Sequence, residues 1–379
     1  DCKTHRCAVA YARGDFYMAY THASRAFIRS IQVFVITLFA SMLFVACSND
    51  DEDNSNSPQI PYQFASADEG KELMQNHTAY YTSLSQNDID WRMKKDGATL
   101  DELKTFALMQ IKDFSEQEKQ LINKGISKIE SRLSAMGVSL PFPSSITFVK
   151  TTMQEESGAG AYTQKMEIYL GENLLTRVLQ ADSSSNLDQF NEMLAHEIFH
   201  CLTRNNAEFR RKMYKIIGFT ILPDEITFPD KIKDWILTNP DVERIDNYAT
   251  FTINGKETKC ELIVLYTKSW AEALAETDDA DKTSFFEFNK AVLVPLDENG
   301  QPASEETYYE VGDIKDSDSY GFWAKVGKNT DYVFAPEECM ADNFSYAIIR
   351  GEEGIATGDF ETPKIISDII SVLKKDYAK

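Results

Sequence analysis

The segment NEMLAHEIFHCLTRNN, residues 191–206, constrains this chain more than any other. It holds His196 and His200, two of only five histidines in 379 residues. Leu187, Phe190, Leu194, Ile198 and Cys201 recur around it at helical spacing, from a candidate N-cap at Ser185 to a break at Asn205-Asn206. On a helix, positions i and i+4 share one face, so the two imidazoles stand one turn apart. Glu197 then lies roughly 100° further round. Two surface histidines on an amphipathic helix would be the plainer reading. Scarcity and apolar flanks argue against it, because beyond residue 46 only His77 joins this pair.

Imidazoles spaced in this way can converge on one divalent cation at about 2.0–2.1 Å. The pattern H-E-x-x-H is the zinc metallopeptidase signature, in which the glutamate misses the ion and acts as general base on a water. A catalytic zinc needs a third protein ligand and one open position. The metzincin form would require Gly and His where the chain has Thr203 and Asn206, and the inverted H-x-x-E-H form does not fit. A distant carboxylate is the remaining choice, and EECMAD supplies Glu338 and Asp342, four apart on an expected helix opened by Pro336. Glu337 is a rival ligand whose i+4 residue is Ala341, and His77 is another. Glu338 also suits the first turn of its helix on electrostatic grounds alone.

With HEIFH followed at a distance by E-x-x-x-D, the chain resembles the gluzincins, the thermolysin-like zinc peptidases. That resemblance implies Zn2+ held by His196, His200 and Glu338, with Asp342 fixing His196 through its second nitrogen and Glu197 as the catalytic base. It also implies a strand beside the zinc helix that pairs with extended substrate. GAGAYTQKMEIYL is the candidate, although glycines there equally mark a simple hairpin connection. An oxyanion stabiliser is expected, and Tyr320, Tyr332 and Tyr346 are open choices. Cys201 and Cys339 each follow an expected ligand and read as core thiols whose parallel placement brings them near one another.

The rest of the chain sets the context. Arg25 and Arg29 precede an apolar run from Ile31 to Ala46, too short for a membrane span and suited to a secretion signal. The first methionine is Met18, so residues 1–17 read as an upstream extension. FVAC resembles a lipobox ending at Cys47, the expected lipidation site, and the following SNDDEDNSNSP resembles the acidic export tag of Bacteroidota surface lipoproteins. A plain signal peptide with a disordered linker is the alternative. The expected location is the cell envelope, with the protein anchored to the outer membrane by lipid. The net charge of −21 repels phosphate backbones, so nucleic acid is not an expected partner. Cysteines 201, 260 and 339 are too few and odd in number for a disulfide framework.

The expected organisation is a signal region at 1–46, a linker at 47–62 and one α+β domain at 63–379 with a zincin-like core. Within it, 63–140 is helical and 141–219 carries the zinc helix. Residues 220–335 form a β-rich insertion marked by turns at Asn254-Gly255 and Asn299-Gly300. Residues 336–379 bring the third ligand and a last helix from about 362 to 377. The expected function is peptide or protein hydrolysis by a monomer. The alternatives are a binding lipoprotein without turnover and a zinc hydrolase of non-peptide amides.

Overall fold

The computed structural model describes residues 60–181, 184–280, 283–314 and 319–379. The signal region, Cys47 and all but the end of the linker lie outside the described residues. The architecture is α+β. Among the described residues, no helix is long and apolar enough to cross a membrane.

β1 (Tyr62–Phe64) is followed by α1 (Ala67–Gln75), α2 (Thr78–Ser83), α3 (Gln86–Met93), α4 (Leu100–Gln110), β2 (Ile111–Lys112) and α5 (Glu116–Met136). Capping boxes start four of these helices: Ser66 with Glu69, Ser85 with Asp88, Thr99 with Glu102, and Ser115 with Glu118. Each pair satisfies backbone donors that a helix start leaves open. α5 stops at Gly137, whose φ of 69° suits a residue without Cβ. This segment is helical as its periodicity predicts, apart from β1 and β2. Strands of three and two residues are too short to show alternation in sequence.

β3 (Ile146–Thr151), β4 (Ala161–Gln164) and β5 (Glu167–Gly171) complete the first sheet, ordered β1-β3-β5-β4. β1 and β5 run parallel to β3, β2 pairs antiparallel with the far end of β3, and β4 lies antiparallel at the edge. The glycine-rich stretch thus leads into an edge strand. α6 (Glu172–Gln180), α7 (Ser184–Asn205) and α8 (Ala207–Ile216) follow. α7 lies against β4, α5 and α8.

The second sheet comes from residues 220–310. β6 (Thr220–Ile221), α9 (Asp230–Lys233), β7 (Asn247–Ile253), β8 (Lys256–Tyr266), α10 (Trp270–Thr277), β9 (Asn289–Pro295) and β10 (Tyr309–Glu310) give an antiparallel sheet ordered β10-β9-β8-β7-β6. Asn254 and Gly255, at φ 50° and 76°, make the two-residue turn that pairs Ile253 with Lys256. After α11 (Phe322–Val326) come α12 (Pro336–Ile349), α13 (Gly351–Thr357) and α14 (Pro363–Asp376).

One buried apolar cluster joins these parts. It includes Phe148 of the first sheet, Phe199 of α7, Phe344 of α12, and Phe251, Leu262 and Leu293 of the second sheet. The β-rich region therefore shares its core with the helices that carry the site. Cys201, Cys260 and Cys339 are buried free thiols.

Candidate metal centre

α7 is buried on every side from Phe190 to Thr203. A helix in that position cannot leave polar groups bare, because an unpaired buried polar atom costs about 1–3 kcal/mol. Its polar residues are Asn191, Glu192, His196, Glu197, His200 and Thr203. Glu192 meets Arg350 in a two-pronged ion pair at 2.6 and 2.8 Å. The rest of the chemistry is shared with α12, which packs along α7 and is itself buried from Pro336 through Ser345.

His196 lies between two carboxylates of α12. Its Nδ1 is 2.7 Å from Asp342 Oδ1, and its Nε2 is 2.9 Å from Glu338 Oε2. Two carboxylate contacts leave two solutions: an imidazolium donating twice, or a neutral ring whose Nε2 shares a cation with Glu338. His200 distinguishes these. Its Nδ1 stands 3.3 Å from Glu337 Oε1, while its Nε2 is buried without a hydrogen-bond partner. That Nε2 is 3.9 Å from Glu338 Oε2. One donor atom from each of His196, His200 and Glu338 lies within 4.8 Å of the others. A tetrahedral ion with ligands at about 2.0–2.1 Å spaces its donors by roughly 3.3 Å. The separations of 2.9 and 3.9 Å bracket that figure.

The charge balance points the same way. Glu197, Asp241, Glu337, Glu338 and Asp342 are all at most 7 % exposed around the two imidazoles. Burial, and then the charges of Glu197 and Glu338, push the Asp241 carboxyl well above its usual range. Burial also works to raise Glu337, but its hydrogen bond with His200 and the charges of His200, Arg210 and Arg204 bring it down to about 2. Beyond those two arginines, a divalent cation would supply further positive charge to such a cluster of carboxylates. The orphaned imidazole nitrogen and the donor set therefore fit a metal ion, which the buried trio of His196, His200 and Glu338 could hold.

The surrounding residues hold the donors in place. Asn239 Nδ2 donates to Glu338 Oε1 at 2.8 Å. Thr330 Oγ1 donates to Asp342 Oδ2 at 2.6 Å. Glu337 accepts from Thr203 Oγ1 at 2.8 Å and from Tyr214 OH at 2.7 Å. It faces the outer nitrogen of His200 and stays out of the donor trio. Glu197 Oε2 accepts from Thr163 Oγ1 of β4 at 2.9 Å. A second donor group, Glu197, His200 and Asp241, also closes within 4.8 Å.

The remaining candidates fall at varied distances. The ring of Tyr332 is centred 6.2 Å from that of His196. Tyr320 packs instead on Tyr309, and Tyr346 lies beside Arg350 and Phe360. His77 is engaged elsewhere, with Nε2 3.1 Å from Glu167. Sequence reasoning missed Thr163, Asn239 and Asp241. Thr163 follows the glycines of the expected substrate strand, but nothing in the sequence pairs it with Glu197.

No protein-family model matches the chain, no curated protein matches it, and no solved structure matches it.

Proposed function

We propose that the protein is a zinc-dependent peptidase of gluzincin type, with a zincin-like core and a lipid anchor at Cys47. The observation that carries this reading is His200 Nε2, buried and unpartnered, facing the carboxylate of Glu338 beside His196 Nε2. Two imidazoles and a carboxylate form a known catalytic zinc set. When bound, the zinc ion acidifies a water and polarises a substrate carbonyl.

This chain's own residues would do the rest. Asp342 and Glu337 orient the two imidazoles through their outer nitrogens, fixing tautomer and raising basicity. The Glu197 carboxylate, oriented by Thr163, takes a proton from the attacking water and passes it to the leaving amine nitrogen. The edge strand β4, one residue of which touches Glu197, is suited to receive an extended peptide by backbone pairing. Of the three tyrosines named above, Tyr332 is the candidate to steady a developing oxyanion, since its ring is centred 6.2 Å from that of His196.

The test is zinc content together with hydrolysis of a mixed peptide library. Wild-type protein should carry one zinc per chain and cleave peptides. Glu197→Gln should keep the zinc and lose roughly 10²–10⁴-fold in rate. Zinc binding with no Glu197-dependent cleavage would favour the non-hydrolysing binding protein. Cleavage confined to cell-wall or glycan amides would favour the non-peptide hydrolase. Absence of zinc from the folded chain would end the metalloenzyme reading.

A further inference from the structure

Between the segment 225–245 and β8 lies a cavity of about 450 Å³ that reaches the start of α12 at Phe334 through Glu337. That volume is in the range of small-ligand sites. Its walls are largely apolar, with Ile226, Phe228, Ile236, Leu237, Val242 and Ile263. Its exposed rim carries Glu225, Asp230, Lys233, Glu243 and Arg244. With Glu261 and Glu337 deeper in, carboxylates outnumber cations in the lining by five to two.

Two of the buried lining residues have a polar atom that the fold leaves unused. Glu261 is 1 % exposed, and its Oε2 has no hydrogen-bond partner; Asn247 is buried with Oδ1 in the same state. Along β8, Ile263 and Leu265 pack with Ile226, Phe228 and Ile232 in a small apolar cluster, and Glu261 shares their face by the two-residue period of a strand. A carboxyl among such neighbours costs desolvation energy that no contact of Oε2 returns. Arg210, whose charge reaches Glu261, is committed to Asp246 by contacts of 2.7 and 3.0 Å. Arg244 is spent on Glu225 at 3.2 Å and Asp246 at 3.3 Å.

We propose that this cavity binds a cationic ligand, a primary ammonium or guanidinium carried on an aliphatic stem, with Glu261 as its counter-ion. The stem would lie on the apolar walls, and the charged tip would donate to the two unused acceptors. Burial and the charge of Asp246 push the empty carboxyl well above its usual range, so an arriving cation would send the Glu261 proton to solvent. The ligand could be a free alkylamine or the lysine or arginine side chain of a peptide. The inference does not depend on the peptidase reading. The cavity does border the candidate metal centre, because Glu337 and Asn239 line it and also contact His200 and Glu338.

The experiment is titration calorimetry on the full-length chain with 1-aminopentane, 1-pentanol and acetyl-lysine amide. 1-Aminopentane should bind at least roughly 10-fold more tightly than 1-pentanol, the weight of one buried charge-assisted hydrogen bond. Glu261→Gln keeps the side chain's shape and should remove that preference. Val242→Trp fills the cavity from its wall and should abolish binding of both, which keeps the test open if the first variant does not fold. Glu243→Gln, on the exposed rim, should leave the preference in place. Acetyl-lysine amide binding as tightly as 1-aminopentane would identify a peptide side chain as the ligand; binding of 1-aminopentane alone would identify a free amine. The proposal fails if the amine and the alcohol bind alike or if neither binds. It also fails if Glu243→Gln lowers amine affinity as much as Glu261→Gln does, since attraction to an acidic surface would then explain the whole effect.

Discussion

Two buried polar networks meet in the segment 238–241, and they balance their charge in different ways. In the first, Arg92 of α3 brings its own cation. It contacts Asp88 at 3.1 Å, Glu156 at 2.9 Å and the carbonyl of Thr238 at 2.7 Å. Tyr266 and Thr238 satisfy Asp88 further, and Tyr80 donates to Glu156. In the second, around His196 and His200, five buried carboxylates face two imidazoles, and one imidazole nitrogen has nothing to bond. Each network has carboxylates that cannot reach water. Only the first is complete as a set of side chains. A buried cluster that needs an outside cation is the physical mark of a binding site, and one that supplies its own marks a structural joint.

The largest expected effect breaks the first network. Arg92→Met removes the cation that bridges Asp88 and Glu156 and should cost about 3–5 kcal/mol of stability, because it strands buried charge. Urea denaturation at neutral pH reads this directly. A loss under about 1 kcal/mol would mean that the network is wetter than its burial indicates. Zinc sharpens the contrast. With free zinc at a thousand times its Kd, binding should stabilise the native chain by about 4 kcal/mol over the chelator-treated chain. His196→Ala and Glu338→Gln should abolish that increment, whereas Arg92→Met should retain it. An increment that survives in His196→Ala would place the ion elsewhere.

These two networks were not equally legible in the amino-acid sequence. The candidate metal centre announces itself because helices impose a period: His196 with His200, and Glu338 with Asp342, are each spaced one turn apart. The same period favours Glu338 over Glu337 as the candidate donor, because Asp342 stands one turn beyond Glu338. It does not reveal that Glu337 would meet the outer nitrogen of His200, because that contact depends on how α7 and α12 pack. Asn239 and Asp241 lie in a stretch without secondary structure, where no spacing rule links them to a helix far away in sequence. Arg92 and Glu156 escape notice for a similar reason, since nothing local distinguishes a buried ion pair from solvated charges. Long elements such as α5 and α7 show in the apolar pattern. β1, β2 and β10 are set by tertiary pairing over two or three residues.

A smaller effect follows from Glu155, beside the first network. Its Oε1 accepts from Thr151 at 2.6 Å and Tyr162 at 3.2 Å, while Oε2 is buried without a partner. Burial raises its carboxyl from 4.5 to about 7. A raised carboxyl pKa means the folded chain keeps a proton that the unfolded chain releases. Below about pH 4.5 both states are protonated and the group costs nothing. As pH climbs from there to about 7, the unfolded state is increasingly favoured, by about 3 kcal/mol in the limit. Glu155→Gln should remove this falling slope and leave the chain more stable than wild type at pH 8. The check is denaturation midpoints across that pH window, and equal slopes in the two proteins would count against a proton on Glu155.

The smallest effect tests whether the partners of the imidazoles belong to the metal centre or to a joint like that of Arg92. Asp342 contacts His196 Nδ1 with one oxygen and Thr330 with the other. Asp342→Asn keeps size and hydrogen-bonding capacity but removes the charge that makes His196 a better donor. Zinc affinity should fall about 10–100-fold, equivalent to about 1.4–2.7 kcal/mol, by the usual weight of such partners. Thr330→Val removes only the hydroxyl that steadies Asp342, so its loss should be smaller than that of Asp342→Asn. If both variants bind zinc as tightly as wild type and lose only stability, Asp342 is doing what Asp88 does for Arg92. The ranking Asp342→Asn, then Thr330→Val, then wild type in zinc affinity would instead tie the carboxylate to the ion through the imidazole between them.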